Sequence, residues 1–147
     1  MMKIMTAIDF STATEAVLKA AKTYAKKLRA EVLLIHVEPT PVLLPDMGIS
    51  GTGIEVLYEI PVDHKTEHVR LNKDAKALEA CGVKVTPLLR TGSPAKTIIK
   101  EAEKQSVDLI IVGSHGHGAL QKILIGSTSE SILKKSKIPV LLIPVAH

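Results

Sequence analysis

Glu31-Val-Leu-Leu-Ile-His-Val37 is apolar on both of the faces a strand would present, apart from His36. A strand with one face in water alternates apolar and polar residues. A run without that alternation belongs in a parallel sheet covered by helices on both sides. Further short strand candidates lie at residues 3–8, 83–89, 107–112 and 139–145, and segments of helical periodicity separate them. The resulting βαβαβαβαβ order predicts an α/β fold, an open doubly wound five-stranded parallel sheet with helices on both faces. Short right-handed crossovers favour the Rossmann-like strand order 3-2-1-4-5. In that order the chain reverses across the sheet between strands 1 and 4, and ligands bind in the crevice at that point.

The helices have their own signals. The first is expected from Ser11 or Thr12 to about residue 29, with Thr12 and Glu15 at capping-box spacing. Its predicted apolar stripe is Ala16, Val17, Ala20, Ala21, Tyr24 and Leu28. The second spans residues 63–81, with Val69, Leu71, Ala75 and Leu78 as apolar members and Gly82 as its stop. Ser93 as cap and Pro94 in the first helical position start the third, which runs to about residue 105. The fourth is short, over residues 128–135. Residues 40–61 are broken by Pro41, Pro45, Gly48, Gly51, Gly53 and Pro61, and read as a long loop near the mouth of the crevice, with a helical turn around residues 55–59.

Composition narrows the function. The 147 residues fit one domain, 1–147, with no linker or repeat. Aromatics are only 2% (Phe10, Tyr24 and Tyr58), so the core is aliphatic. No apolar run has the length of a membrane span and no export signal opens the chain, so a cytoplasmic protein is expected, with no membrane partner. The net charge of +4 is spread over helical lysines without arginine clusters or stacking aromatics, which argues against a nucleic-acid partner. A mild positive field still favours an anionic ligand. Cys81 is the single cysteine, excluding an internal disulfide, and reads as a small half-buried apolar residue.

Chemistry is concentrated in Gly113-Ser-His-Gly-His-Gly-Ala-Leu-Gln-Lys-Ile-Leu-Ile-Gly-Ser-Thr-Ser129, directly after the fourth strand. Glycine lets backbone N–H groups approach an anion, and a helix N-terminus adds unpaired donors and the positive end of its dipole. Such a loop binds phosphate, or simply lets the chain reverse tightly. His115 and His117 lack further ligands at metal-binding spacing, and no Walker lysine is present. Asp9, closing strand 1, is suited to accept from sugar hydroxyls, to help hold a divalent cation, or to cap the following helix. Val37 ends strand 2 as a core valine or as a backbone edge for a base.

The spacing Gly113-x2-Gly116-x9-Gly126-Ser127 resembles the nucleotide-binding loop of the universal stress protein family, in its ATP-binding subclass. The resemblance runs from the opening Ile-Met-Thr-Ala-Ile-Asp-Phe-Ser to the closing Lys-Ile-Pro-Val-Leu-Leu-Ile-Pro-Val. It implies an adenine nucleotide, ATP or AMP/ADP, held with Mg between strands 1 and 4. Under it Asp9 meets the sugar near the metal and phosphates, Ala7 and Ile8 line the crevice, and the Val37 backbone meets adenine. Gly113 meets the ribose, Gly116, Gly126 and Ser127 the phosphates, with Thr128 and Ser129 close behind, and His115 adds a contact within the motif. A homodimer through the strand from Pro139 to Val145 is also implied, and that strand leaves an uncharged apolar sheet edge. The function expected is regulatory ATP binding with slow or no hydrolysis. A slow nucleotide hydrolase or AMP-forming enzyme, and a dimeric module binding no nucleotide, are the alternatives.

Overall fold

The computed structural model describes residues 1–39, 64–114 and 125–145. Among these, the elements in chain order are β1 (Lys3–Ala7), α1 (Thr14–Leu28), β2 (Glu31–Glu38), α2 (Lys65–Glu79), β3 (Val85–Thr91), α3 (Pro94–Lys104), β4 (Leu109–Gly113), α4 (Ser127–Lys135) and β5 (Val140–Ile143). The strands form one five-stranded sheet in the order β3-β2-β1-β4-β5. Every pairing is parallel. Both the α/β class and the strand order match the expectation from the alternation of elements.

Successive strand residues point to opposite faces, so one strand feeds two cores. Val32 and Leu34 of β2 join Ile4 and Ile111 under α1 and α2, where Val17, Ala21, Leu71, Ala75 and Leu78 cover them. Leu33, Ile35 and Val37 turn to the other face with Met5, Ile110 and Val112, and meet Ile98 and Ala102 of α3 and Ile132 of α4. This two-sided burial is the physical cause of the run without alternation at residues 31–37. No helix among the described residues is long and apolar enough to cross a membrane.

Several local expectations are corrected. α1 begins at Thr14 with Ala13 in the capping position and no side-chain cap, so the Thr12–Glu15 box does not form. The chain leaves β1 through Phe10 in the left-handed region at φ 59°, and the turn consumes the residues expected to cap. Along α1 the buried line is Val17, Ala21 and Ala25, spaced by four. Tyr24 and Leu28 are each 38% exposed. Val69 of α2 is 67% exposed and takes no part in the core. Pro94 does open α3, while Ser93 holds the cap position with extended backbone and no side-chain bond. β3 and β4 each begin two residues later than expected. β5 is shorter than the predicted 139–145, because Pro139 and Pro144 lack the N–H that a ladder requires. The helical turn expected at residues 55–59 lies outside the described residues.

Candidate functional site

β1 pairs with β2 on one side and β4 on the other, and the helices that follow β1 and β4 leave toward opposite faces of the sheet. Where they part, a crevice of about 450 Å³ opens at the carboxyl ends of the strands. Its volume is in the range of small-molecule sites.

Four expected residues line it from the strand ends: Ala7, Ile8, Asp9 and Val37. Gly113 of β4 and Thr128 and Ser129 of α4 line it from across the sheet. Gly126 is the capping residue of α4, and Ser127 is the first helical residue, just before the lining positions. His115 and Gly116 lie outside the described residues, as does the rest of the loop over 117–124.

The floor is tied together by hydrogen bonds. Ser129 Oγ donates to the Gly113 carbonyl oxygen at 2.8 Å. The buried Ser114 continues β4, its N–H donating to Ile143 and its Oγ accepting from the N–H of Val145. A Cβ on Gly113 would lie 2.8 Å from Val17 Cγ2 and 3.3 Å from Ala13 Cβ, so glycine is what lets α1 lie against the end of β4. Asp9 Oδ1 accepts from the Ser11 N–H at 3.0 Å, forming the turn that launches α1.

The tertiary structure adds residues that sequence reasoning did not reach. Phe10, His36, Glu38, Glu67 and Arg70 also line the crevice. His36 is buried, with Nδ1 at 2.7 Å from the Ile8 carbonyl oxygen and Nε2 at 2.6 Å from Glu38 Oε1. The Phe10 ring stands 4.4 Å from the His36 ring between centroids, and Arg70 Cζ is 4.6 Å from the Phe10 centroid. His36 did have a signal, as the lone polar residue in an apolar run. Arg70 and Glu67 had none, because only the docking of α2 carries them to the crevice. One turn further along, burial pushes the Asp74 carboxyl above its usual range, opposed by Lys73 and Arg70.

This donor set suits a phosphorylated ligand. The first-turn N–H groups of α4 have no intrahelical acceptor and carry the positive end of the dipole. Thr14 Oγ1, on a crevice-lining residue, is buried without a hydrogen-bond partner among the described residues and can donate. Among the described residues no three His, Cys, Asp or Glu side chains cluster as metal ligands.

The universal stress protein family model matches residues 1–144. Universal stress protein MJ0577 of Methanocaldococcus jannaschii is 35% identical over 96% of this chain and 93% of its own. The solved MJ0577 structure superposes with a TM-score of 0.75 at 32% identity, covering 99% of this chain and 97% of that one. A universal stress protein from Archaeoglobus fulgidus, solved in complex with dAMP, shares the fold at a TM-score of 0.70 and 20% identity, over 97% of this chain and 98% of its own. Another universal stress protein, solved in complex with cAMP, does so at 0.71 and 16% identity, over 97% of this chain and 96% of its own. With its sheet order, its crevice and a match over nearly its whole length, the chain belongs to the universal stress protein family.

Proposed function

We propose that this chain is a regulatory ATP-binding protein that holds ATP with Mg²⁺ in the crevice between β1 and β4 and hydrolyses it slowly or not at all. The observation that carries this reading is the convergence of Asp9, Val37, Gly113, Thr128 and Ser129 on one crevice at the point where the sheet reverses. Family neighbours bound to dAMP and cAMP support an adenine nucleotide there.

In this reading each residue has a role its chemistry allows. The free backbone edge after Val37 meets the base, and Asp9 accepts from the sugar hydroxyls. Ala7 and Ile8 form the wall beneath, and the Gly113 backbone approaches the ribose. Amide N–H groups at Gly126, Ser127, Thr128 and Ser129 face the phosphates, with His115 and Gly116 completing the loop. Ser129 acts through its main chain, since its one hydroxyl hydrogen is directed at Gly113. Bound Mg²⁺ neutralises phosphate charge.

Slow turnover follows from what phosphoryl transfer demands, namely a positioned nucleophile and cationic stabilisation of developing charge. Arg70 is the one cationic side chain lining the crevice among the described residues, and it rests on Phe10. Its presence favours slow hydrolysis as the second reading. A homodimer through β5 completes the proposal, because this edge strand is apolar and uncharged.

Mass spectrometry of the ligand released from purified protein should find an adenine nucleotide. Calorimetric titration with ATP and Mg²⁺ should show one site per chain. No heat with any adenine nucleotide sinks the proposal, and phosphate release that keeps pace with binding replaces it with the hydrolase.

A further inference from the structure

One polar atom at the crevice is left unanswered by a chain of phosphates. Glu67, in the first turn of α2, lines the crevice, and its Oε2 is buried with no hydrogen-bond partner among the described residues. A carboxylate oxygen accepts, so this one needs a donor. Phosphate oxygens do not supply it. Buried polar atoms in native proteins are hydrogen-bonded almost without exception, and an orphan calls for a partner that the chain itself does not provide.

The neighbouring side chains do not meet that need. Arg70 lies one turn further along α2, yet its guanidinium rests on Phe10, with Cζ 4.6 Å from the ring centroid. From α1, Thr14 also lines the crevice, and its Oγ1 is buried and unpartnered among the described residues as well. A hydroxyl both donates and accepts. Two helices thus offer the crevice an acceptor and a donor–acceptor, close to Asp9 beyond the end of β1. The part of a nucleotide that matches this set is the ribose, whose adjacent hydroxyls bring two donors and two acceptors. Adenine carries a donor too, its amino group, but in the reading above the backbone edge beyond Val37 meets the base.

We propose that Glu67 is a specificity-determining residue of the nucleotide crevice, accepting from one ribose hydroxyl while Asp9 accepts from the other. Thr14 Oγ1 completes the set. This rests on the nucleotide reading above. Glu67 as a whole is only half-buried, so its carboxylate can turn to a hydroxyl in the crevice. Arg70 lines the same crevice and offsets the added negative charge beside an anionic ligand. An acceptor placed for a hydroxyl discriminates against a ligand that lacks it, because the acceptor then stays unpaired. The crevice therefore selects ribonucleotides over deoxyribonucleotides.

The test is calorimetry on the whole chain with Mg²⁺ and, in turn, ATP, 2′-deoxyATP, 3′-deoxyATP and ITP, which lacks the amino group of adenine. In the wild type each deoxy analogue should bind about tenfold more weakly than ATP, or worse. Glu67→Met keeps the length of the side chain and removes the carboxylate. The penalty for at least one deoxy analogue should then shrink to about twofold or less, with the ratio of ATP to ITP affinity unchanged. A variant that merely loosened the fold would weaken all the ligands alike and leave those ratios as they were. Wild-type protein that binds ATP and both deoxy analogues equally overturns the assignment and leaves the nucleotide reading intact. Penalties unchanged in Glu67→Met overturn it as well. A Glu67→Met variant that loses its preference for ATP over ITP overturns it by moving Glu67 to the base. Wild-type protein that binds none of these nucleotides overturns the nucleotide reading and this assignment with it.

Discussion

Ser129 Oγ donates a 2.8 Å hydrogen bond to the carbonyl oxygen of Gly113, fastening the first turn of α4 to the last residue of β4. Both ends of the glycine-rich loop are thereby held in register although the residues are 16 apart in sequence. Ser129 is 6% exposed, so Ser129→Ala leaves a carbonyl without this donor in a nearly dry place. The expected cost is about 1–2 kcal/mol in urea denaturation, with the slope unchanged.

Gly113→Ala should destabilise by about 1–3 kcal/mol through overpacking, since the new methyl falls 2.8 Å from Val17 Cγ2. Val17 is a stiff β-branched residue, 2% exposed, and has little room to move. Adding Val17→Ala should recover part of the loss, giving a coupling of at least about 0.5 kcal/mol in a double-mutant cycle. Strict additivity would show that α1 does not press on the end of β4.

Gly126→Val tests the phosphate end of the crevice. Gly126 caps α4 with extended backbone at φ −63° and ψ 157°, which valine tolerates, so the fold should persist. A branched side chain there shields the first-turn amides. Calorimetric affinity for ATP with Mg²⁺ should weaken by more than about tenfold, or about 1.4 kcal/mol. Unaltered affinity would take the phosphates away from α4.

Leu142→Lys probes the proposed dimer. Val140, Leu141, Leu142 and Ile143 are only half-buried in one chain, and β5 is the terminal strand of the sheet. A lysine in the middle of an edge strand opposes pairing. Light scattering should report the wild type at twice the monomer mass and the variant at the monomer mass. A variant that stays dimeric moves the interface elsewhere.

Arg90 Nε donates to Glu101 Oε1 at 3.1 Å, and this bond holds the Glu101 carboxyl below the usual glutamate range. A depressed carboxyl contributes stability that is present above the unfolded-state value and is lost as pH falls through the folded-state one. Glu101→Gln should flatten the acid limb of a plot of urea midpoint against pH. The effect should be small, because the Arg90 side chain is 36% exposed and water screens the pair. Parallel acid limbs would show that the bond does not form in solution.

The class of fold and the order of the strands were legible along the chain because they follow from local patterns: apolar runs, helical periodicity, and Pro94 opening a helix. The place of the crevice followed as well, since strand order alone decides where neighbouring helices part. Asp9, Val37 and Gly113 could be assigned to it because each lies within two residues of a strand's carboxyl end beside that point. Helix caps and strand limits were less legible. Phe10 in a left-handed turn and the prolines flanking β5 decide them by geometry that composition does not display.

By itself, then, the sequence determined which segments pair, in what order, and which strand ends meet at the reversal of the sheet. Only the tertiary structure decided that Arg70 and Glu67 of α2 reach the crevice and that Tyr24 and Leu28 stay partly exposed at the edge of the α1 core line. It alone also showed His36 held between Ile8 and Glu38. The physical reason is one of range. Periodicity and propensity act over a few neighbouring residues, whereas the company a side chain keeps depends on how whole helices dock, and that is set by every contact in the core together.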